Sequence, residues 1–189
     1  AYLGANIFIS DKNNFNTKLI KSISPKINYE IGLHSNRCLE CDLMILSPGI
    51  DPRNKAISSF IKEGINIVSE IEFSSWFTEQ PIIAITGSNG KSTTVKILEK
   101  IISKKFDNVL LGGNIGIPFS QNVLHEIKND LDQNIHILEL SSFQLEHIQE
   151  FSPYISCILN LSEDHLDRYD NKIEYFEAKM NIYKNLNKK

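Results

Sequence analysis

Apolar residues in the first third of the chain fall into short runs with two alternating spacings. Residues 5–10, 42–46 and 65–68 read as strands, each rich in Ile, Leu, Val or Phe, and the first two are closed by Asp11 and by Ser47-Pro-Gly49. Between them, residues 16–22 read as helix, and residues 54–63 carry Ala56, Ile57, Phe60 and Ile61 at helical spacing. Such alternation predicts a parallel sheet. A second series begins at Pro81, with strands over 81–86, 109–111, 135–140 and 155–160. Its helices start at Lys91 and run over 119–128 and 172–186. Residues 69–80 join the series as a helix-bearing connection, which places a domain boundary near residue 70. The expected class is α/β, with one parallel-sheet domain over 1–70 and a second over 71–189.

Composition narrows the function. A chain of 189 residues with 41% hydrophobic content can bury two modest cores. The net charge of −3 is spread along the sequence, so there is no basic stripe for nucleic acid and no polybasic membrane anchor. No apolar run reaches transmembrane length, and no basic segment precedes an apolar core at the N-terminus. The expected location is the cytoplasm. Cys38-Leu-Glu-Cys41 lacks a second pair to complete a zinc site, so these cysteines read as small residues before a strand, and Cys157 reads as core.

The most informative chemistry lies between the strand at 81–86 and the helix that follows. Gly87-Ser-Asn-Gly-Lys-Ser-Thr93 puts glycine turns, one lysine and two hydroxyls at a helix start, where backbone N–H groups attract anions. Gly87, Ser88, Asn89, Gly90, Lys91, Ser92 and Thr93 are therefore candidates to cradle the phosphates of ATP or GTP. Lys91 can reach the terminal phosphates and Ser92 can ligate Mg2+. The common phosphate-loop pattern has a further glycine where this chain has Ile85, so an ordinary strand-to-helix turn is the competing reading. The flanking strand and helix favour the phosphate cradle.

In open α/β sheets ligands sit beyond the carboxyl ends of the strands, so later strand ends should line the same site. These ends are polar: Gly112-Gly-Asn-Ile-Gly116, Glu139-Leu-Ser-Ser-Phe-Gln144, Asn160, and Asp164-His-Leu-Asp-Arg168. Glu139 follows an apolar run, where a carboxylate is costly unless it is paired or holds a cation such as Mg2+. His165 could hold a second ion or bind substrate, or simply be solvated. Asp164 and Asp167 could equally be cap or turn residues with Arg168 as their ion-pair partner.

Taken together, 85–93, 112–116, Leu138-Glu-Leu-Ser-Ser-Phe-Gln-Leu145 and Asn160-Leu-Ser-Glu-Asp-His-Leu-Asp-Arg-Tyr169 resemble the motif series of the Mur ligases. Ser47-Pro-Gly-Ile50 and the Phe-Gln form of the third motif point to the branch that adds D-glutamate to UDP-N-acetylmuramoyl-L-alanine in peptidoglycan precursor synthesis. The resemblance implies two Rossmann-like domains, the second a P-loop ATP-binding domain. Both look incomplete, because the opening strand, the rest of the middle domain and a third domain are missing from the family pattern. The chain thus reads as a fragment, expected to be monomeric and by itself inactive. The implied reaction is ATP-dependent amide formation through an acyl phosphate.

The same resemblance implies roles for residues. Lys91 would stabilise the transferring phosphoryl group, Ser92 with Glu139 would hold a first Mg2+, and His165 would hold a second. Asn114, Ser141 and Gln144 would line the muramoyl-peptide side, while Asp11, Ser47 and Gly49 would contact the uridine nucleotide. Lys179 matches the family's carbamylated lysine. Phe176, Met180 and Tyr183 predict one helix face with Lys179 at its edge, and a carbamate there would replace a repelled ammonium with an oxygen ligand suited to Mg2+. An exposed helical lysine is the plain alternative. Another Mur or folylpolyglutamate-type ligase is a rival that Ser47-Pro-Gly-Ile50 and Ser-Ser-Phe-Gln disfavour; a nucleotide-binding fragment without catalysis is the other.

Overall fold

The computed structural model describes residues 1–51, 53–162 and 168–186. The chain divides into two compact units, residues 1–44 with 52–66 and residues 45–51 with 67–189.

In the first unit, β1 (Phe8–Asp11) pairs in parallel with β2 (Asn28–Ile31), Phe8 opposite Asn28 and Asp11 opposite Ile31. Asn16 and Asn54 cap α1 (Thr17–Ile23) and α2 (Lys55–Lys62), each side chain accepting a backbone N–H of the first turn. Ile27, Cys38, Ile57 and Phe60 are buried. β2 is absent from the sequence reading, because Asn28-Tyr-Glu-Ile31 has no apolar run and owes its strand character to pairing. Burial pushes the Glu30 carboxyl up. Hydrogen bonds from the Ser10 and Ser35 hydroxyls and the Ser35 N–H outweigh it and hold the pKa at about 2. All three cysteines are free thiols.

β3 (Met44–Leu46) and β4 (Ile67–Ser69) form a second two-stranded sheet. Ser69 then caps α3 (Glu70–Ser75), the helix expected in the connection. The buried Glu72 carboxylate accepts the N–H groups of Gln149, Glu150 and Phe151 at 2.8–2.9 Å and the Trp76 indole N–H at 2.9 Å. These bonds satisfy a carboxylate that would otherwise be costly to bury.

The main sheet of the second unit holds β5 (Ile82–Thr86), β6 (Asn108–Gly113), β7 (Asn134–Glu139) and β8 (Ile155–Ile158) in the order β6-β7-β5-β8, all parallel. Helices α4 (Lys91–Ile102) and α5 (Phe119–Asn129) carry the crossovers. Side-chain alternation divides β5 between two cores. Ile82 and Ala84 pack with Phe119, Val123, Leu138 and Leu140 on one face, and Ile85 packs with Val95 and Ile137 on the other. Under the first face, His136 meets Glu126 at 2.7 Å, and the Thr78 hydroxyl donates to the same carboxylate. Burial lowers the His136 pKa despite that carboxylate. Among the described residues, no helix is long and apolar enough to cross a membrane.

Candidate active site

The loop from Gly87 to Gly90 leaves the carboxyl end of β5 and opens α4, as the sequence implies. Gly87 has φ +149°, and a Cβ there would stand 3.2 Å from Leu159 Cβ and 3.3 Å from the Asn160 backbone. Only glycine lets the loop lie this close to the end of β8. The contact is then fastened by polar bonds. Ser88 N–H donates to the Asn160 carbonyl, Asn89 N–H donates to Asn160 Oδ1 at 2.8 Å, and the Asn160 amide returns a bond to the Asn89 carbonyl at 2.9 Å. Ser88 Oγ donates to the Ser162 carbonyl and accepts the Ser162 N–H, both at 2.9 Å. Gly90 caps the 12-residue α4 with no side-chain cap bond, so its first N–H groups face an anion-binding position.

Two lysines converge on this loop. Lys91 Nζ donates to the Gly87 carbonyl at 2.8 Å and to the Ser88 carbonyl at 3.1 Å, and Lys179 Nζ reaches the same Gly87 oxygen at 3.0 Å. The ammonium groups are thus no more than ~6 Å apart, within the range over which like charges disfavour each other. Lys179 lies on α7 (Lys172–Met180), is 2% exposed and sits 4.7 Å from the Tyr175 ring centroid. The buried face of α7 differs from the expected one. α7 buries Tyr175, Ala178 and Lys179, whereas Met180 is 49% exposed, so the buried stripe is rotated from that of Phe176 and Met180 and takes in the lysine itself.

Ser92 Oγ donates to Glu139 Oε2 at 2.7 Å, joining the start of α4 to the end of β7. The other oxygen, Oε1, accepts the Asn114 side-chain amide at 2.8 Å, and Asn114 N–H donates to the Glu139 carbonyl at 2.7 Å. Glu139 is 2% exposed. The hydroxyl and carboxylate are hard oxygen donors, and their 2.7 Å separation is near the ~2.9 Å edge of an octahedron with Mg2+–oxygen bonds. The glycine cradle, bare helix start and Ser92–Glu139 pair fit a polyphosphate with Mg2+.

Beside this pair lies an open cleft of about 440 Å³ lined by Pro48, Gly49, Asp51, Asn114, Ser141, Phe143 and Arg168. It gathers three of the residues singled out from the sequence: Gly49, Asn114 and Ser141. Gln144 instead closes a capping box on α6 (Ser142–Leu145), its Oε1 accepting the Ser141 N–H at 3.0 Å. Ser47 is exposed, and its carbonyl accepts the Ile50 N–H, forming a turn. Asp11 closes β1 by accepting the Asn13 N–H at 2.8 Å. His165, Asp164 and Asp167 lie outside the described residues. Arg168 pairs with Glu146 at 2.8 Å. Phe143 and Arg168 belong to the strand-end segments 139–144 and 164–168 that the sequence places at this site, although neither is given a role there, and Pro48 and Asp51 are not anticipated for the cleft.

A parallel sheet with a phosphate loop at the end of its first strand, an acid at the end of a neighbouring strand and an adjoining polar cleft defines a nucleotide-binding α/β protein. Residues 85–189 match the Mur ligase middle domain, an ATP-binding domain, and residues 3–56 match the MurD N-terminal domain. The chain belongs to the Mur ligase family. It is 36% identical over 192 residues to the UDP-N-acetylmuramoylalanine–D-glutamate ligase of Salinibacter ruber, covering 98% of this chain and 41% of that protein. It is 46% identical over 160 residues to the same-named ligase of Buchnera aphidicola subsp. Baizongia pistaciae, covering 84% and 34%. The chain therefore spans about 40% of the length of the curated relatives it matches. Among solved structures, UDP-N-acetylmuramate:L-alanyl-gamma-D-glutamyl-meso-diaminopimelate ligase from Neisseria meningitides shares the fold. Its TM-score is 0.53 at 11% identity, covering 95% of this chain and 68% of that one.

Proposed function

We propose that the protein carrying this sequence joins D-glutamate to UDP-N-acetylmuramoyl-L-alanine in an ATP- and Mg2+-dependent reaction of the cytoplasm, through an acyl phosphate, as a monomer. The observation that carries the reading is the Asn114–Glu139–Ser92 chain of hydrogen bonds, which runs from the polar cleft to the phosphate loop. A ligase that activates a carboxylate needs its acceptor next to its phosphoryl donor. The names of the relatives supply the substrates.

Bound ATP and Mg2+ supply the phosphoryl group and neutralise its charge, so that the L-alanine carboxylate gains phosphate as a leaving group for attack by the D-glutamate amine. The chain's own groups do the rest. N–H donors of the Gly87–Thr93 segment hold the phosphates, and Lys91 leaves the Gly87 and Ser88 carbonyls to follow the developing charge. Ser92 and Glu139 would hold Mg2+. Asn114 and Ser141 orient the acceptor, and Gln144 fixes the Ser141 backbone. By family resemblance alone, Asp11, Ser47 and Gly49 would each serve the uridine nucleotide and His165 would hold a second ion. Lys179 would lose its ammonium proton to solvent and add as the amine to CO2 with release of a second proton, so that a carbamate replaces one of two cations crowded on the Gly87 carbonyl.

For these 189 residues alone, nucleotide binding without turnover is a second reading, favoured by their span of about 40% of the relatives. The test of the reaction uses substrate labelled with 18O in the L-alanine carboxylate and a protein carrying this sequence at the full length of its relatives. Label should pass into released phosphate; unlabelled phosphate would exclude activation of that carboxylate.

A further inference from the structure

The turn Ser47–Ile50 forms one wall of the cleft, and among the described residues the bond within the turn is the Ile50 N–H to the Ser47 carbonyl at 2.9 Å. Among the described residues, the Arg168 side chain holds the turn from outside. Arg168 Nη1 donates to the Pro48 carbonyl at 2.6 Å and Nη2 to the Ile50 carbonyl at 3.1 Å, straddling Gly49. Nη2 also donates to Glu146 Oε2 at 2.8 Å, while the Tyr169 hydroxyl donates to Glu146 Oε1 at 2.7 Å. The guanidinium carbon lies 4.2 Å from the Phe143 ring centroid, and that ring stacks on Tyr169 at 5.8 Å with a 20° interplanar angle.

We propose that Arg168 is a positioning residue for the sugar-nucleotide substrate, clamping the Pro48 and Ile50 carbonyls so that Gly49 stays at the cleft wall. This rests on the proposed ligase reading for the identity of the substrate. The clamp suits arginine specifically. A planar fork can serve two carbonyls and a carboxylate at once while lying on an aromatic ring, and a lysine ammonium cannot reproduce that geometry. Both partners of the ion pair are largely buried, with side-chain exposures of 11% for Arg168 and 13% for Glu146, so the clamp is poorly accessible to solvent. Burial, together with Glu146, pushes the Tyr169 phenol well above its ordinary pKa, so it remains a donor to Glu146. None of the described Arg168 bonds reaches the phosphate loop. Its loss should therefore separate the two substrates.

The experiment compares Arg168→Ala, Arg168→Lys and Glu146→Gln in a protein carrying this sequence at full relative length. It measures KM for UDP-N-acetylmuramoyl-L-alanine and for ATP, and hydrogen exchange at the Ile50 amide. Arg168→Ala should raise the sugar-nucleotide KM roughly 10-fold or more, leave the ATP KM within about two-fold, and speed exchange at Ile50. Arg168→Lys should recover little of this, and Glu146→Gln, which keeps the arginine, should give a smaller shift of the same kind and remains informative if Arg168→Ala does not fold. Equal rises in both KM values, unchanged exchange at Ile50, or full rescue by lysine would overturn the clamp. If the unaltered protein turns over no sugar nucleotide, the ligase reading fails, and the exchange measurement still decides whether Arg168 holds the turn.

Discussion

Replacing Gly113 with alanine, beside the same change at Gly116, separates backbone strain from close packing within one motif. Both glycines have left-handed φ, +99° and +72°. At Gly116 an added Cβ meets nothing within 4 Å, whereas at Gly113 it falls well inside contact distance of the Glu139 carbonyl oxygen. Left-handed strain costs an alanine roughly 1–2 kcal/mol, less about 0.4–1 kcal/mol regained from a stiffer unfolded chain. Gly116→Ala should thus lose about 1 kcal/mol. Gly113→Ala adds overpacking of about 1–3 kcal/mol, and parting β6 from β7 weakens the Asn114 N–H bond to Glu139 by about another 1 kcal/mol. The expected loss is about 4 kcal/mol, or roughly 10 °C in Tm, against roughly 3 °C for Gly116→Ala. Trp76, the single tryptophan, lies in the same compact unit, so urea and thermal unfolding followed by its fluorescence read the relevant transition. Equal losses for the two variants would refute the claim that close approach to Glu139 is what requires glycine at 113.

His136 has its folded pKa lowered by burial, from an ordinary 6.5, so its neutral form contributes stability that is fully present above pH 6.5 and is lost as pH falls below it. Unfolding stability of the unaltered chain should fall more steeply below pH 6.5 than that of His136→Gln, by up to ~1.4 kcal/mol per pH unit, in urea titrations; parallel slopes would remove His136 as a proton-linked group. Lys179→Ala in the full-length protein should be nearly inactive and partly rescued by short carboxylic acids in the buffer, whereas rescue by amines would assign Lys179 a cationic role.

Much of the main sheet was legible because β5 and β7 are apolar runs with abrupt polar ends, and those ends carry the chemistry. Thr86-Gly87 and Glu139 announce a site through the cost of placing such residues after buried strands. The short elements were not legible. β2 acquires strand geometry from β1, and α6 exists because Ser141 and Gln144 cap each other, a four-residue device that periodicity cannot register. The face of α7 was misread because Tyr175, Ala178 and Ile182 repeat at the same helical spacing as Phe176, Met180 and Tyr183, and a lysine biases any pattern toward solvent. The Arg168 clamp joins carbonyls 118 and 120 positions away in the chain, and backbone acceptors have no signature in a sequence.

The most direct test of the ligase reading is phosphate release from ATP by a protein carrying these residues at full relative length, with each substrate omitted in turn. Release should require UDP-N-acetylmuramoyl-L-alanine and D-glutamate together, and should fall by at least ~100-fold in Lys91→Ala, as expected when a group that stabilises developing charge is removed. Release that is indifferent to D-glutamate, or that survives in Lys91→Ala, would contradict it.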